Sequence, residues 1–318
     1  MPVTSIAPVP PPVSLSEMGG ERCEPVLGLL PTPPQPLDST RGNGVTMTIH
    51  AQTMRQQFAA QAVIEELLRQ HADTPPRSTF ARFCGNSPLR RDSVSWYLGA
   101  KGEIVVGQIL ATLPSEWTSF HALPIGKKGS DIDHIVIGPG GIFTINTKHH
   151  AGKTVWVAGR GLMVSGQKQP YIRNAEYEAG RVTKLLRERM PLLPAAQPVL
   201  ALVNPKSLTV KVTPEQVKVT TAAALSRWIV KRPVVLNAGD LAELAAVIDD
   251  PATWLAPLFP PTENVLARFD ALDAEVLAAQ TRRTQWRVFG FVASVAALLV
   301  AGPPVSAVIV SILMGAAL

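Results

Sequence analysis

Four side chains that could bind a metal ion and a phosphate lie close together near the middle of the chain. Asp131 and Asp133 open one apolar stretch, Asn146 and Lys148 close the next, and a Gly-Pro-Gly-Gly turn at 138–141 joins the two. Alternate residues of a strand share a face, so each pair projects from one face of its strand. Hard cations bind carboxylate and amide oxygens, and an ammonium stabilises phosphate charge. The stretch predicts a hairpin that holds a divalent cation and a phosphate.

Glu103 is a further candidate, because it lies in a predicted helix over 93–113. Its face of that helix carries mostly apolar or small residues: Trp96, Ala100, Gly107 and Leu110. A carboxylate on a buried face is unfavourable unless a cation or hydrogen bonds compensate it. Two interpretations therefore stay open. Glu103 binds a metal or a metal-bound water, or it reaches around the helix edge to solvent.

The elements that must position these residues follow an α/β order. Apolar periodicity predicts helices over 52–71, 93–113, 174–190 (with Asn174 as N-cap), 222–230 and 238–248. It predicts strands over 118–123, 132–137, 142–147, 199–203, 208–212 and 217–220, and a hairpin over 154–164. This order predicts an α/β fold in which helices flank a mixed sheet.

Composition limits the class of protein. The 318 residues are 46% hydrophobic, which suffices for one sizeable core with appendages. Two cysteines, Cys23 and Cys84, argue against a disulfide scaffold or a cysteine-rich zinc site. A net charge of +6 is compatible with a polyanionic partner or an anionic membrane surface and requires neither.

Composition also divides the chain into segments. Ten of the 29 prolines fall in residues 1–36, which is typical of a disordered tail. We predict five segments: a proline-rich tail over 1–46, an amphipathic helix and linker over 47–92, the α/β domain with its C-terminal extension over 93–250, a linker or juxtamembrane helix over 251–287, and a transmembrane segment over 288–318.

The last segment is distinguished by its lack of charge. The 31 residues from Val288 to Leu318 contain no charged side chain, and Gly302-Pro303-Pro304 interrupts them. A bilayer core needs roughly 20 apolar helical residues, so one transmembrane helix, a hairpin of two short helices or a buried terminal helix are all possible. Arg282, Arg283 and Arg287 come just before the segment. The positive-inside rule then predicts anchoring in the inner membrane of the cell, with the N-terminal part cytoplasmic.

Several of these motifs together resemble a known family. The matching pieces are Gly102-Glu103, Ile132 to Phe143, Thr147-Lys148 and Val155-Trp156, and the resemblance spans Gly99 to Met190. They are similar to the nuclease-related (NERD) domain, a family of the PD-(D/E)xK nuclease superfamily. The resemblance implies a restriction-endonuclease-like core, a mixed sheet flanked by helices, and hydrolysis of phosphodiester bonds in DNA or RNA. Domains of this kind also occur attached to transmembrane segments.

The resemblance also implies roles for single residues. Glu103 becomes the helix carboxylate, Asp133 the main ligand of Mg²⁺ or Mn²⁺, and Lys148 the catalytic lysine. The superfamily pattern expects an acid two residues before the lysine, and this chain has Asn146 there. An amide oxygen can still bind a cation, but the lost charge weakens Mg²⁺ binding.

Asn146 leaves three functions open. Asp131 substitutes for the missing acid and the site cuts, or the domain binds nucleic acid without cutting it. In the third, the chain is a membrane-bound scaffold that recruits proteins through the proline-rich run at 8–12.

A basic segment with interleaved tyrosines, Tyr171 and Tyr177, follows the hairpin region. Its candidate contacts to a nucleic-acid backbone are Lys168, Arg173, Arg181 and Lys184. A solvated helix face explains the same pattern. One of three histidines, His134, His149 or His150, is a further candidate for a general base or a phosphate contact.

Overall fold

The helices and strands alternate along most of the chain. A computed structural model of the protein describes residues 53–125, 131–254 and 264–315, with side chains as far as residue 299. The described residues belong to one unit, His50–Leu318, and a second unit, Met1–Ile49, lies outside them. The predicted proline-rich tail over 1–46 and its run at 8–12 therefore also lie outside the described residues.

The described residues form seven α-helices and nine strands. The helices are α1 (Gln61–Ala72), α2 (Thr79–Phe83), α3 (Ser93–Leu110), α4 (Tyr171–Arg187), α5 (Ala222–Val230), α6 (Ala238–Asp249) and α7 (Val265–Gly315). The strands are β1 (Thr118–Pro124), β2 (Asp131–Gly138), β3 (Gly141–His149), β4 (Thr154–Ala158), β5 (Gly161–Val164), β6 (Gln167–Gln169), β7 (Gln197–Val203), β8 (Ser207–Val212) and β9 (Lys218–Thr221).

The central sheet has five strands in the order β1-β2-β3-β7-β9. β1, β2 and β3 pair antiparallel, and β7 and β9 continue the sheet in parallel. The predicted hairpin is confirmed, with Gly138 opposite Gly141 at its turn. Gly141 has a φ of +118°, a backbone conformation that residues other than glycine rarely adopt.

Helices cover both faces of this sheet, which confirms the predicted mixed α/β architecture. On one face, α3 and α5 contribute Val106 and Leu225 to a core that includes Phe143 of β3. On the other, α4 and α6 contribute Val182 and Leu244 to a second core. Buried apolar area on both faces therefore fixes the sheet between the helices.

The remaining strands form a separate sheet in the order β6-β5-β4-β8, a division that the sequence did not predict. The chain turns after β3 at Gly152 and after β7 at Asn204, both with positive φ. Ala151 and Pro205 form an isolated bridge at that point. Because the neighbouring strands β3 and β7 turn together, the strands that follow them, β4 and β8, pair with each other instead of extending the central sheet.

Two helices begin at residues other than those that the sequence predicts, and one short helix was not predicted. α4 begins at Tyr171 and not after Asn174, since the Asn174 N–H donates to the Pro170 carbonyl in the first turn. α1 begins only at Gln61, because Ala60 is left-handed, with a φ of +69°. The predicted linker before residue 93 contains the short helix α2.

The first part of α7 packs on the body of the protein. Val265, Phe269 and Leu272 join a core with α1 and α3. Asp273 accepts hydrogen bonds from the Tyr97 hydroxyl and the Lys101 ammonium. Of the two alternatives predicted for 251–287, a linker or a juxtamembrane helix, the structure has a helix from Val265 onward, and its first part packs on the domain.

The predicted transmembrane segment begins within α7. No helix of the part of the chain that the structure describes combines the length and apolarity needed to cross a membrane. The side chains of residues 300–318, more than half of the predicted segment, lie outside the described residues. The described residues thus give the transmembrane prediction no support, and it remains a prediction from sequence.

Candidate functional site

The candidate site lies where the β2–β3 hairpin opens. Strand pairing between β2 and β3 runs from Gly138 to His134, which is opposite Ile145. One residue further, Asp133 Oδ2 accepts the backbone N–H of Thr147 at 2.6 Å. A carboxylate thus takes the place of a backbone acceptor, which holds Asp133 at the end of the ladder.

Asn146 and Lys148 face α4, as the alternation of β3 predicts. The Asn146 amide nitrogen donates to both carboxylate oxygens of Glu178, at 3.1 and 2.9 Å. Lys148 Nζ donates to the Thr147 carbonyl at 3.0 Å and lies 5.5 Å from the centre of the Tyr171 ring. The lysine ammonium is therefore held beside the acids by a carbonyl and an aromatic face.

Glu103 approaches from α3, which packs on the opposite face of the sheet. Its neighbour Gly102 allows this approach, because a Cβ there would lie only 3.2 Å from the Cβ of His149. Glu103 is 5% exposed, so the alternative in which it reaches solvent is wrong. The helix thus presents a buried carboxylate to the same strand ends.

Burial and mutual repulsion make the acids hard to ionise in the absence of a cation. Burial, and then the charges of Asp133 and Asp131, raises the pKa of Glu103 well above its ordinary value. Burial and the Asp133 charge raise the pKa of Asp131 to about 7. Burial also raises the pKa of Asp133, against the opposing effects of Lys148 and the Thr147 N–H. The acids lie close enough to interact strongly with one another.

The polar atoms at this site fit a hard cation. Glu103 Oε2, Asp131 Oδ2 and Asn146 Oδ1 are buried oxygens without a hydrogen-bond partner among the described residues. Buried oxygens of this kind are rare unless water or an ion satisfies them. Within the described ranges, no three His, Cys, Asp or Glu side chains already converge on a metal position. Binding of a cation therefore requires these side chains to move closer together.

Glu178 of α4 is a site residue that the sequence reasoning missed. Burial raises its pKa, whereas the hydrogen bond from Asn146 lowers it. In the sequence it lies within the basic segment, between Arg173 and Arg181. Helical spacing was the available signal, because Glu178 lies three residues after Ala175 and four before Val182, both buried.

The four residues predicted to contact nucleic acid differ in their exposure to solvent. Lys168, Arg173 and Lys184 are exposed. Arg181 donates to the Ile125 carbonyl and lies 5.7 Å from the Tyr177 ring, so it links α4 to the end of β1. The first three stay candidates for phosphate contacts, whereas Arg181 has a structural role within the fold.

The histidines lie beside the acids without joining them. His134 is buried on the other face of β2, where its Nδ1 lies 2.8 Å from Nδ1 of His121. His150 stacks on Tyr171 at 5.7 Å, and His149 is half-buried. His134 is therefore poorly placed for a general base at the acidic site.

The candidate site lies within a region that matches a known protein family. Residues 98–204 match the family model described as NERD, nuclease-related domain. The match begins in α3, ends just after β7 and includes Glu103, Asp133, Asn146, Lys148 and Glu178. The resemblance inferred from the sequence is thereby confirmed for this region, which is similar to nuclease-related domains. No curated protein matches the chain, and no solved structure matches it either.

Proposed function

We propose that this protein is a metal-dependent nuclease that hydrolyses phosphodiester bonds in DNA or RNA. The observation that carries the proposal is the buried Glu103, whose unpartnered oxygen lies among other acids beside a lysine. The nuclease-related match over residues 98–204 supports the same chemistry. The order of α3, the β1–β3 hairpins, α4 and β7 supports a restriction-endonuclease-like core.

Each site residue has a separate task in this proposal. Glu103, Asp133 and Asn146 hold Mg²⁺ or Mn²⁺ through side-chain oxygens, the ligands that these ions prefer. When bound, such an ion activates water for attack and offsets phosphate charge. The Thr147 N–H fixes one Asp133 oxygen, which leaves the other for ligation.

Lys148 is proposed to stabilise the charge that develops on the phosphate. Its ammonium donates to only one acceptor, the Thr147 carbonyl, among the described residues. Two of its three hydrogens therefore remain for phosphate oxygens. The Tyr171 ring beside it limits the positions that the flexible side chain can take. Lys148 can thus contact substrate without leaving its place on β3.

The substrate is proposed to lie along the exposed surface of α4. Arg173 and Lys184 supply positive charge there, Lys168 adds charge from the preceding strand β6, and the exposed Tyr177 ring supplies a stacking surface. Contacts of this kind recognise the phosphate backbone rather than base sequence. Binding should therefore weaken steeply as salt rises.

A cleavage assay with the full-length protein in detergent tests the proposal. Wild type, Asp133→Ala and the control Glu215→Ala, an exposed acid outside the site, are compared on DNA and RNA with Mg²⁺ and Mn²⁺. We expect wild type and Glu215→Ala to cut at the same rate and Asp133→Ala to be inactive. Equal background cleavage by wild type and Asp133→Ala would remove the enzymatic proposal.

A second candidate function is nucleic-acid binding without cleavage. It is favoured by Asn146, which brings no charge to the position where an acid is expected. On this proposal, wild type and Asp133→Ala bind the same oligonucleotides with the same steep salt dependence, and neither cuts. Flat salt dependence in a fluorescence anisotropy titration would exclude this candidate.

We also propose that residues 288–318 attach the protein to the inner membrane, with the preceding domain cytoplasmic. The support is the absence of charge in this segment and the exposure of apolar side chains at its start: Val288, Phe289, Phe291, Val292, Leu298 and Leu299. Alkaline extraction of membranes should leave the full chain in the pellet. Its release into the supernatant would contradict membrane attachment.

A further inference from the structure

One residue of α4 stands where the site lacks a charge. We infer that Glu178 supplies the carboxylate that Asn146 does not, so that the third acid of the cation site comes from a helix and not from β3. This inference rests on the proposed function and identifies a further metal ligand for it.

The hydrogen bonds between the two side chains are the first argument. The Asn146 amide nitrogen reaches both Glu178 oxygens, at 3.1 and 2.9 Å. A carboxylate has about four lone-pair positions, so two of them remain for a cation. Asn146 therefore orients Glu178 while leaving it able to bind, and its own Oδ1 is buried without a partner.

A comparison along α4 is the second argument. Glu176 forms an ion pair with Arg160 at 2.9 Å. Glu178, two residues later and half-buried, forms no ion pair with any residue that the structure describes. A half-buried carboxylate that forms no ion pair is unfavourable, and the nearby charge of Lys148 offsets this only in part, since the pKa of Glu178 stays raised. Its surroundings therefore fit a cation that binds from outside the chain.

An independent observation points to the same cation. Glu103 is 5% exposed, and its Oε2 has no hydrogen-bond partner among the described residues. Glu103 comes from α3 on one side of the sheet, and Glu178 comes from α4 on the other. With Asp133 between them on β2, the acids reach the end of the hairpin from three separate elements. This is an acidic cluster that includes a buried, unpaired oxygen.

The inference predicts that the acid can be moved from Glu178 to position 146 without loss of the cation site. If the site needs one acid from this pair, the acid can come from either member. Glu178→Gln removes it, and Asn146→Asp adds one to β3. The double variant Asn146→Asp/Glu178→Gln has the wild-type number of charges with the carboxylate returned to the strand.

Calorimetric titration of the full-length protein with Mn²⁺ tests the inference without relying on activity. We expect Glu178→Gln to weaken Mn²⁺ binding by on the order of 10- to 100-fold, as loss of a ligand or its support does. The double variant should bind within about threefold of wild type, and Asn146→Asp alone should bind more tightly than wild type. Glu176→Gln is the matched control on the same helix and should bind like wild type.

The outcomes separate this inference from the proposed function. Unchanged affinity in Glu178→Gln, with loss of binding in Asp133→Asn, overturns the role of Glu178 and leaves the cation site in place. Absence of Mn²⁺ binding by wild type, or binding that survives Asp133→Asn, overturns both. If Glu178→Gln does not fold, as judged by its thermal unfolding, Glu178→Asp replaces it. That variant should keep the charge and bind more weakly than wild type, and unchanged affinity overturns the inference.

Discussion

Strand β2 carries two buried polar clusters that differ in charge. Asp131 and Asp133 belong to the acidic site on one face, and His134 pairs with His121 on the other. The histidines contact each other through Nδ1 atoms 2.8 Å apart, so one ring donates and the other accepts. Each cluster also keeps a buried polar atom without a partner among the described residues, His134 Nε2 in one and Asp131 Oδ2 in the other. The acids differ in that they carry charges of the same sign, which repel one another.

This difference indicates that the histidine pair stabilises the fold and that the acidic site binds a ligand. A neutral histidine pair carries no charge and forms a mutual hydrogen bond, so it can remain buried at a lower cost than charged groups. Several acids that repel one another can all be ionised only when a cation offsets their charge. Neighbouring positions on one strand therefore have opposite roles, and substitutions on the two faces should have opposite consequences.

The largest expected effect is on cleavage at the acidic face. Asp133→Asn should lower kcat by at least about 10²-fold, because it removes a charged ligand that the transition state requires. Its thermal unfolding should change little or improve, since a buried charge is removed. Steady-state cleavage rates and a melting curve measure both effects. A loss of activity that only accompanies unfolding would contradict the proposed role.

The histidine face should respond in the opposite way. His134→Ala leaves a cavity and an unpaired ring at His121, which should lower the free energy of unfolding by about 3 kcal/mol. Cleavage at a temperature where the variant is folded should stay within about threefold of wild type. Urea unfolding measures the change in stability, and the same cleavage assay measures the activity. A large loss of activity in a fully folded variant would place His134 in the site.

The histidine pair also predicts a pH dependence of stability. Burial lowers the pKa of His121 to about 4, from an ordinary value of 6.5. The unfolded chain therefore binds a proton at this residue more readily, so the contribution of His121 to stability is complete above pH 6.5 and falls as pH decreases towards 4. The loss should be on the order of 3 kcal/mol. The buried acids, with raised pKa values, contribute with the opposite sign over this range, so the variant below isolates the effect of His121.

His121→Gln should reduce this slope between pH 6.5 and 4. Unfolding in urea with EDTA, at closely spaced pH values, compares the variant with wild type. Identical slopes in the two proteins would show that His121 does not titrate as proposed.

A smaller effect is expected where α3 approaches the sheet. Gly102→Ala places a Cβ 3.2 Å from the Cβ of His149, which should displace Glu103 and lower Mn²⁺ affinity several-fold. The helix itself should not be weakened, because alanine favours a helix by about 1 kcal/mol relative to glycine. Gly99→Ala is the control on the same helix, because its Cβ meets only Val63 at an ordinary 3.6 Å. Equal Mn²⁺ affinity in the two variants would contradict this account of the approach.

The smallest effect is expected on the exposed surface of α4. Lys184→Ala should weaken oligonucleotide binding a few-fold and reduce the slope of log K against log salt by about 1, because one phosphate contact is lost. Anisotropy titrations at several salt concentrations measure the slope. An unchanged slope would indicate that Lys184 faces solvent only.

The sequence predicted the parts of the site that depend on local periodicity. Alternation along β2 and β3 placed Asp133 and Asn146 at one end of the hairpin, and helical spacing placed Glu103 on a buried face. It could not predict the contact between Asn146 and Glu178, which joins residues 32 apart in the chain. Nor did apolar alternation distinguish β4 and β8 from central strands, since the division into two sheets depends on turns at Gly152 and Asn204.

The central claim is that the end of the β2–β3 hairpin binds a divalent cation. Anomalous diffraction from crystals of the full-length protein grown with Mn²⁺ tests it most directly. The account predicts an anomalous peak in contact with a carboxylate oxygen of Asp133 and within reach of Glu103, and its absence in Asp133→Asn crystals. Manganese found only at surface carboxylates, with none beside Asp133, would contradict the account.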